Sequence, residues 1–156
     1  MVFFRQIRRL AYLVVLLVFA FFQMGNSGVA RRTFEFFTYE GTPVVEDRML
    51  RVFPSREQTV KSYVEELILG PVSVDLAPLV TKGVKLRSFM YRDKTVYADF
   101  SGDAALPVQG GRPLFESFLV LNRNIRRNFR SVAGIRLFIN GNEIFFDEFE
   151  KIFGAD

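Results

Sequence analysis

The chain has no cysteine, no histidine and no tryptophan among its 156 residues. Without cysteine there is no disulfide, no thiol nucleophile and no thiolate metal site. The lipid-modified cysteine that anchors bacterial lipoproteins is missing as well. Without histidine the commonest general base and the commonest transition-metal ligand are both gone. Any catalysis would fall to carboxylates, lysine, serine or tyrosine, and no cofactor or metal is expected. A third shortage is local. Residues 1–32 hold five arginines (Arg5, Arg8, Arg9, Arg31, Arg32) and no acid; the first carboxylate is Glu35. Subtracting those five from the 21 basic residues leaves 16 against 17 acidic ones, a net of −1 for the remainder. The excess positive charge belongs to the leader, which argues against a nucleic-acid binder.

The leader itself has a basic opening, FRQIRRL, and then the apolar run Leu10 to Phe22. Thirteen apolar residues are short for a membrane span; with the weakly polar QMGNSGVA the stretch reaches Ala30, about 30 Å of helix. Gly28-Val29-Ala30 also places small residues at the −3 and −1 positions of a signal cleavage site. Two readings stand: a signal anchor retained through residues 10–30, or a signal peptide cut near Ala30. Either exports the rest of the chain, to the outer face of the cytoplasmic membrane in the first case and as a secreted or periplasmic protein in the second. The predicted organisation is a leader over 1–32, one domain over 33–150 and a tail over 151–156.

The domain is 120 residues or so, enough for one core. Thr33 to Tyr39 and Val44 to Phe53, joined through Glu40-Gly41-Thr42-Pro43, predict a hairpin. Ser55 with Gln58 makes a capping-box pattern, and Val60, Tyr63, Val64, Leu67 and Ile68 come after it at helical spacing. Gly70-Pro71 ends that helix. A loop over 71–83 leads to a second hairpin, Val84 to Tyr91 and Thr95 to Phe100, in which Val96, Ala98 and Phe100 alternate with polar neighbours. Pro113 opens a second helix with Leu114, Phe118, Leu121, Ile125 and Phe129 as its apolar stripe. Gly134 to Phe146 reads as a third hairpin around Asn140-Gly141. The order ββαββαββ predicts an α+β fold, two helices on one face of a mixed, mostly antiparallel sheet.

In this order, several stretches resemble the GerMN domain of GerM-type sporulation and spore-germination proteins, over roughly Phe34 to Ile144. They are Val45-Glu46-Asp47-Arg48, EELILGP (Glu65 to Pro71), Pro78-Leu79 with Gly83, VYADFS (Val96 to Ser101) and Asn140-Gly141. The resemblance implies an exported, membrane-tethered envelope domain without enzymatic activity, and a fold similar to ring-building motifs of secretion assemblies. The chain departs from many members in lacking the lipobox cysteine and in showing one domain copy.

Few residues suggest chemistry. Asp99, Ser101 and Asp103 alternate in DFSGD, but the spaced calcium-loop pattern is absent and a strand end explains them. Glu65 and Glu66 diverge by about 100° on a helix, too far for an acid–base pair. Arg123, Arg126, Arg127 and Arg130 form the more interesting group. With Phe118 at zero on a helical wheel they fall at about 140°, 80°, 180° and 120°, one outward side near the helix C-terminus. They are the candidate binding residues, for an acidic partner, anionic lipid or wall polymer; as solvated surface, Arg127→Ala would leave stability unchanged. The expected function is therefore a non-enzymatic, membrane-tethered envelope domain. It would bind one or more envelope proteins or a peptidoglycan-like polymer, within a homo- or hetero-oligomer. The alternative is a small exported enzyme acting on cell-wall polymer through carboxylates such as Asp99 and Asp103, which would have to converge in a cleft.

Overall fold

The computed structural model describes Tyr12 and residues 14–17, 28–108 and 110–145. Tyr12 and residues 14–17 are helical and exposed, but most of the apolar run lies outside the described residues, and so does the anchor or cleaved-signal assignment. Among the described residues no helix is long and apolar enough to cross a membrane. The tail assigned to 151–156 also lies outside them.

From Gly28 onward, the described residues form seven strands and two α-helices in the order β1 (Gly28–Thr38), β2 (Pro43–Val52), α1 (Arg56–Leu69), β3 (Leu76–Ala77), β4 (Leu86–Arg92), β5 (Thr95–Phe100), α2 (Leu114–Asn128), β6 (Gly134–Ile139) and β7 (Asn142–Ile144), with a 3₁₀ turn at Gly102–Ala105. The class is α+β, as expected. The strands divide between two sheets rather than forming one: β2-β1-β3, all antiparallel, and β4-β5-β6-β7. In the second sheet β5 and β6 run parallel, because α2 is the crossover that joins them. The loop over 71–83 holds β3, a two-residue strand paired with Phe37 and Thr38 that is too short to leave a periodic signal. β1 begins at Gly28, before Thr33, so Gly28-Val29-Ala30 is paired with Leu50 to Val52.

Local chemistry accounts for the element ends. Ser55 caps α1 with its hydroxyl accepting from the Gln58 N–H at 3.4 Å, and Gly70 ends it at φ 94°, a backbone state that disfavours side chains. Asp93-Lys94 and Asn140-Gly141 turn their hairpins with positive φ at both residues. The two helices and both sheets share one core. Its largest fully buried side chains are Tyr63, Phe34, Phe36, Phe100 and Phe118. The Phe34 and Tyr63 rings stack at 4.6 Å, and Phe100 meets Phe118 edge-on at 5.6 Å. Phe118, Leu121, Ile125 and Phe129 of the α2 stripe are buried as the spacing predicts; Leu114, in its first turn, is exposed.

Candidate functional site

The arginine face of α2 lies against β1. Glu35, only 7% exposed, accepts from Arg123 at 2.6 Å and from Arg127 at 3.1 Å. Arg126 donates to the Asn122 side chain at 2.9 Å and to the Ala133 carbonyl at 3.2 Å. Arg130 lies just past the helix and makes no hydrogen bond or ion pair among the described residues. Two of the four candidates thus neutralise a buried carboxylate and a third braces the α2–β6 connection, while Arg130 alone projects a free charge. Arg127→Ala now carries an expected cost, modest because Arg123 still holds Glu35 and the guanidinium is half exposed.

Two asparagines that residue patterning passed over are structurally more telling. β3 covers β1 only at Phe37 and Thr38, which leaves the same edge bare from Gly28 to Phe36. α2 fills the gap. The Asn124 amide accepts from the Glu35 N–H at 2.8 Å and donates to the Glu35 carbonyl at 3.0 Å. One turn later Asn128 accepts from the Thr33 N–H at 3.0 Å and donates to the Thr33 carbonyl at 2.8 Å. Two carboxamides four residues apart therefore serve alternate residues of a strand, as a neighbouring strand would. The Tyr63 hydroxyl closes the group, donating to the Thr33 carbonyl at 2.8 Å and lying 2.8 Å from the Asn128 amide. Burial pushes its pKa well up.

The motifs that carry the family resemblance meet in pairs. Arg48 lies over the Phe34 ring at 4.6 Å and donates to Glu46 at 2.7 Å and to the Gly70 carbonyl at 2.8 Å. Glu46 in turn accepts from the backbone N–H groups of Val72 and Ser73, at 3.2 and 3.0 Å. The EDR element thus holds the Gly-Pro corner. Burial works against the Glu46 charge, yet the bonds from Arg48, Ser73 and Val72 outweigh it and hold its pKa below the usual value. Likewise Asp99 of VYADFS accepts from the Gly141 N–H at 2.9 Å, fastening β5 to the β6–β7 turn. Asp103 is exposed and bonds Ser101 at 3.4 Å, while Ser101 accepts from the Lys85 N–H at 3.1 Å. Each carboxylate of the enzymatic alternative is thus held in its own local contact, Asp99 at a turn and Asp103 at the 3₁₀ turn. Among the described residues no three acidic side chains gather as a metal site would require.

Two clefts sit at opposite ends of β1. Near its start, Arg32, Val52, Phe53, Pro54, Arg56 and Phe129 line about 230 Å³. Arg31, Arg51 and Arg56 are exposed at this end, with Arg31 paired to Asp47. Past its far end, Tyr39, Leu69, Val72, Val74, Pro78 and Lys82 border about 270 Å³. Here the rim is apolar and open: Leu69 is 73% exposed, Val72 78% and Val74 86%. Among the described residues, exposed arginines gather at one end of β1 and exposed aliphatic side chains at the other.

These features define a small α+β domain whose buried polar groups, Glu35 and Asn124 among them, fasten its own elements. The chain belongs to the Germane family, described as sporulation and spore germination, whose model matches residues 35–145. It is similar in structure to the first GerMN domain of the sporulation protein GerM from Bacillus subtilis. That match has 24% identity and a TM-score of 0.54, and covers 74% of this chain and 86% of that one. It is also similar to the tandem GerMN domains of the same protein, at 21% identity and a TM-score of 0.53, with 74% of this chain against 40% of that one. No curated protein matches. The family is not a known enzyme family.

Proposed function

We propose that the chain is a non-catalytic interaction module of the cell envelope. It is tethered to the membrane through the apolar run Leu10 to Phe22, with Gly28 to Ala30 belonging to β1 of the domain rather than to the tether, and the domain lies on the extracytoplasmic side. The observation that carries this reading is the open apolar rim of Tyr39, Leu69, Val72 and Val74. Side chains this exposed and this close together favour a protein partner over a hydrated polymer. The rim lies beyond the end of β1 remote from Gly28, where the leader joins. β1 is 11 residues long, about 35 Å of strand. A tethered domain would therefore present its apolar end away from the lipid and keep Arg31, Arg51, Arg56 and Arg130 nearer to it, where anionic headgroups favour cations. Family membership supports the same reading.

The test is site-specific photo-crosslinking in intact cells, with the full chain carrying a photoreactive residue at Val74 or, as reference, at Asp93 on the β4–β5 turn. The expected result is a discrete envelope-protein adduct from position 74 that disappears with Leu69→Asp. Equal labelling from both positions, or recovery of the chain from the cytosol, would overturn the proposal.

A further inference from the structure

The outer edge of β2 is bare. β2 is the terminal strand of its sheet, ten residues long and paired without interruption to β1. Thr38 donates to the Thr42 carbonyl at 2.9 Å, which fixes the phase of that ladder. Hydrogen-bonded pairs alternate along it, so the even-numbered residues of β2 bond to β1. The backbone groups of Val45, Asp47, Met49 and Arg51 then face outward, and among the described residues they have no partner. The side chains of the same four residues are exposed, Met49 by 65%. Soluble proteins usually guard such an edge with charged side chains, lysine above all, with a mid-strand proline or with a bulge. β2 has no lysine, its proline is its first residue and its register does not shift; its charges are of both signs, Asp47 and Arg51 on the exposed face, so they repel only a strand that fails to match them.

We infer that β2 is an interface between two copies of this chain, joined antiparallel about a two-fold axis at Met49. The charges choose that register. Only residues of the outward-bonding set can face each other in a hydrogen-bonded pairing. Centring on Asp47 would oppose two carboxylates, and centring on Arg51 two guanidinium groups. Centring between Asp47 and Met49 pairs Asp47 with Met49 and Val45 with Arg51, with no ionic match. Centring on Met49 sets Asp47, whose Oδ2 already meets Arg31 of its own chain in an exposed pair, opposite Arg51 of the second copy as well, and by symmetry Arg51 opposite Asp47. Opposite charges in directly facing positions stabilise a sheet and like charges destabilise it. The pattern is self-complementary, as an isologous contact requires, and a strand from another protein would have no need of it. Met49 would face its own copy at the centre. At the rim Val45 would meet Phe53, whose N–H is already taken by the Thr59 hydroxyl at 3.0 Å, so the ladder ends there. The product is one continuous antiparallel sheet in the order β3-β1-β2-β2-β1-β3. The rim around Val74 adjoins β2 through the bonds of Glu46 to Val72 and Ser73, but the Glu46 side chain lies on the other face of the strand from those of Asp47, Met49 and Arg51, and a disulfide at position 49 is read separately from an adduct at position 74.

The absence of native cysteine makes a direct test available. Residues facing across a hydrogen-bonded antiparallel pair have Cα atoms about 5.5 Å apart, within disulfide reach. Met49→Cys in the full, membrane-extracted chain, under mild oxidation, is expected to give a disulfide-linked homodimer much faster than Asp93→Cys does. In the Met49→Cys background, Asp47→Arg or Arg51→Asp alone should each slow crosslinking roughly tenfold, since two facing pairs turn from attractive to repulsive. The two together should restore it. Melting each variant separates lost pairing from lost folding. Crosslinking at 49 no faster than at 93 would overturn the inference. So would folded single variants that still crosslink, a double reversal that stays monomeric, or a mixed disulfide with another protein in place of the homodimer.

Discussion

Asn124 shows what a single side chain contributes here. It is 1% exposed, and its amide satisfies both backbone groups of Glu35 while the Glu35 carboxylate takes two arginines from the same helix. Removing it leaves a buried N–H and a buried carbonyl without partners, each costing about 1–3 kcal/mol. Asn124→Ala is therefore expected to destabilise by about 3 kcal/mol in urea unfolding, whereas Arg130→Ala should change stability by less than about 0.5 kcal/mol. Equal effects would mean that α2 does not cover the β1 edge as described. The sequence hid this role for a physical reason. Asn124 and Asn128 sit at about 240° and 280° on the wheel that places the arginines at 80–180°, so they border the apolar stripe on its other side. Polar residues there read as solvated until the strand they face is known. The one signal was their spacing of four, which aligns two amides with alternate residues of an extended chain.

At the level of elements, most of the architecture was legible because each segment repeats a simple period. Val96, Ala98 and Phe100 are buried at alternate positions, and Val60, Tyr63, Val64, Leu67 and Ile68 share one helix face. The capping serine, the positive-φ glycine and the Asn-Gly turn all sit where their chemistry placed them. What sequence could not show was partnership between segments. β3 is two residues long, the split into two sheets depends on which edges meet, and the extension of β1 back to Gly28 draws on its pairing with β2 rather than on its own composition. The resemblance motifs belong to the same category: EDR and Gly-Pro, or VYADFS and Asn-Gly, become meaningful as contacts that lock elements together. The end of the α2 stripe gives a sharp check. Phe118 is fully buried against Phe100, so Phe118→Ala should cost about 3–5 kcal/mol. Leu114, four residues earlier and exposed, should cost less than about 1 kcal/mol on the same substitution. Matching urea midpoints for the two variants would show that the helix is rotated from this placement.

For the whole molecule, the absence of histidine shapes how stability responds to pH. No side chain has an ordinary pKa between the carboxylates and tyrosine or lysine, so stability should be flat from about pH 5.5 to 8. Below that, carboxylates that the fold holds ionised take over, Glu46 among them. Its pKa is lowered in the fold, so it contributes stability that is complete above the unfolded carboxylate pKa of about 4.3 and is lost as pH falls through the folded value. Asp47 and Glu143 are lowered too, by Arg31 and Arg136; Asp47 is the more open to solvent and adds little, whereas Glu143, 17% exposed against 15% for Glu46, acts in the same direction as Glu46. Glu46→Gln should therefore lower stability at pH 7 by about 2 kcal/mol, since Arg48 would keep a largely buried charge with only the partly exposed Glu66, at 3.6 Å, to balance it, and it should flatten part of the acid limb of the profile. The alkaline limb has a different origin. Tyr63 has its pKa raised by burial, so its contribution is complete below the unfolded value of about 10 and declines as pH rises through the folded one. Urea midpoints measured from pH 3 to 11 should show a plateau with two shoulders, the acid one reduced by Glu46→Gln and the alkaline one reduced by Tyr63→Phe. A single broad maximum unaffected by either substitution would mean that the stability of the fold is not tied to the Arg48–Glu46 corner or to the Tyr63 hydroxyl beneath β1.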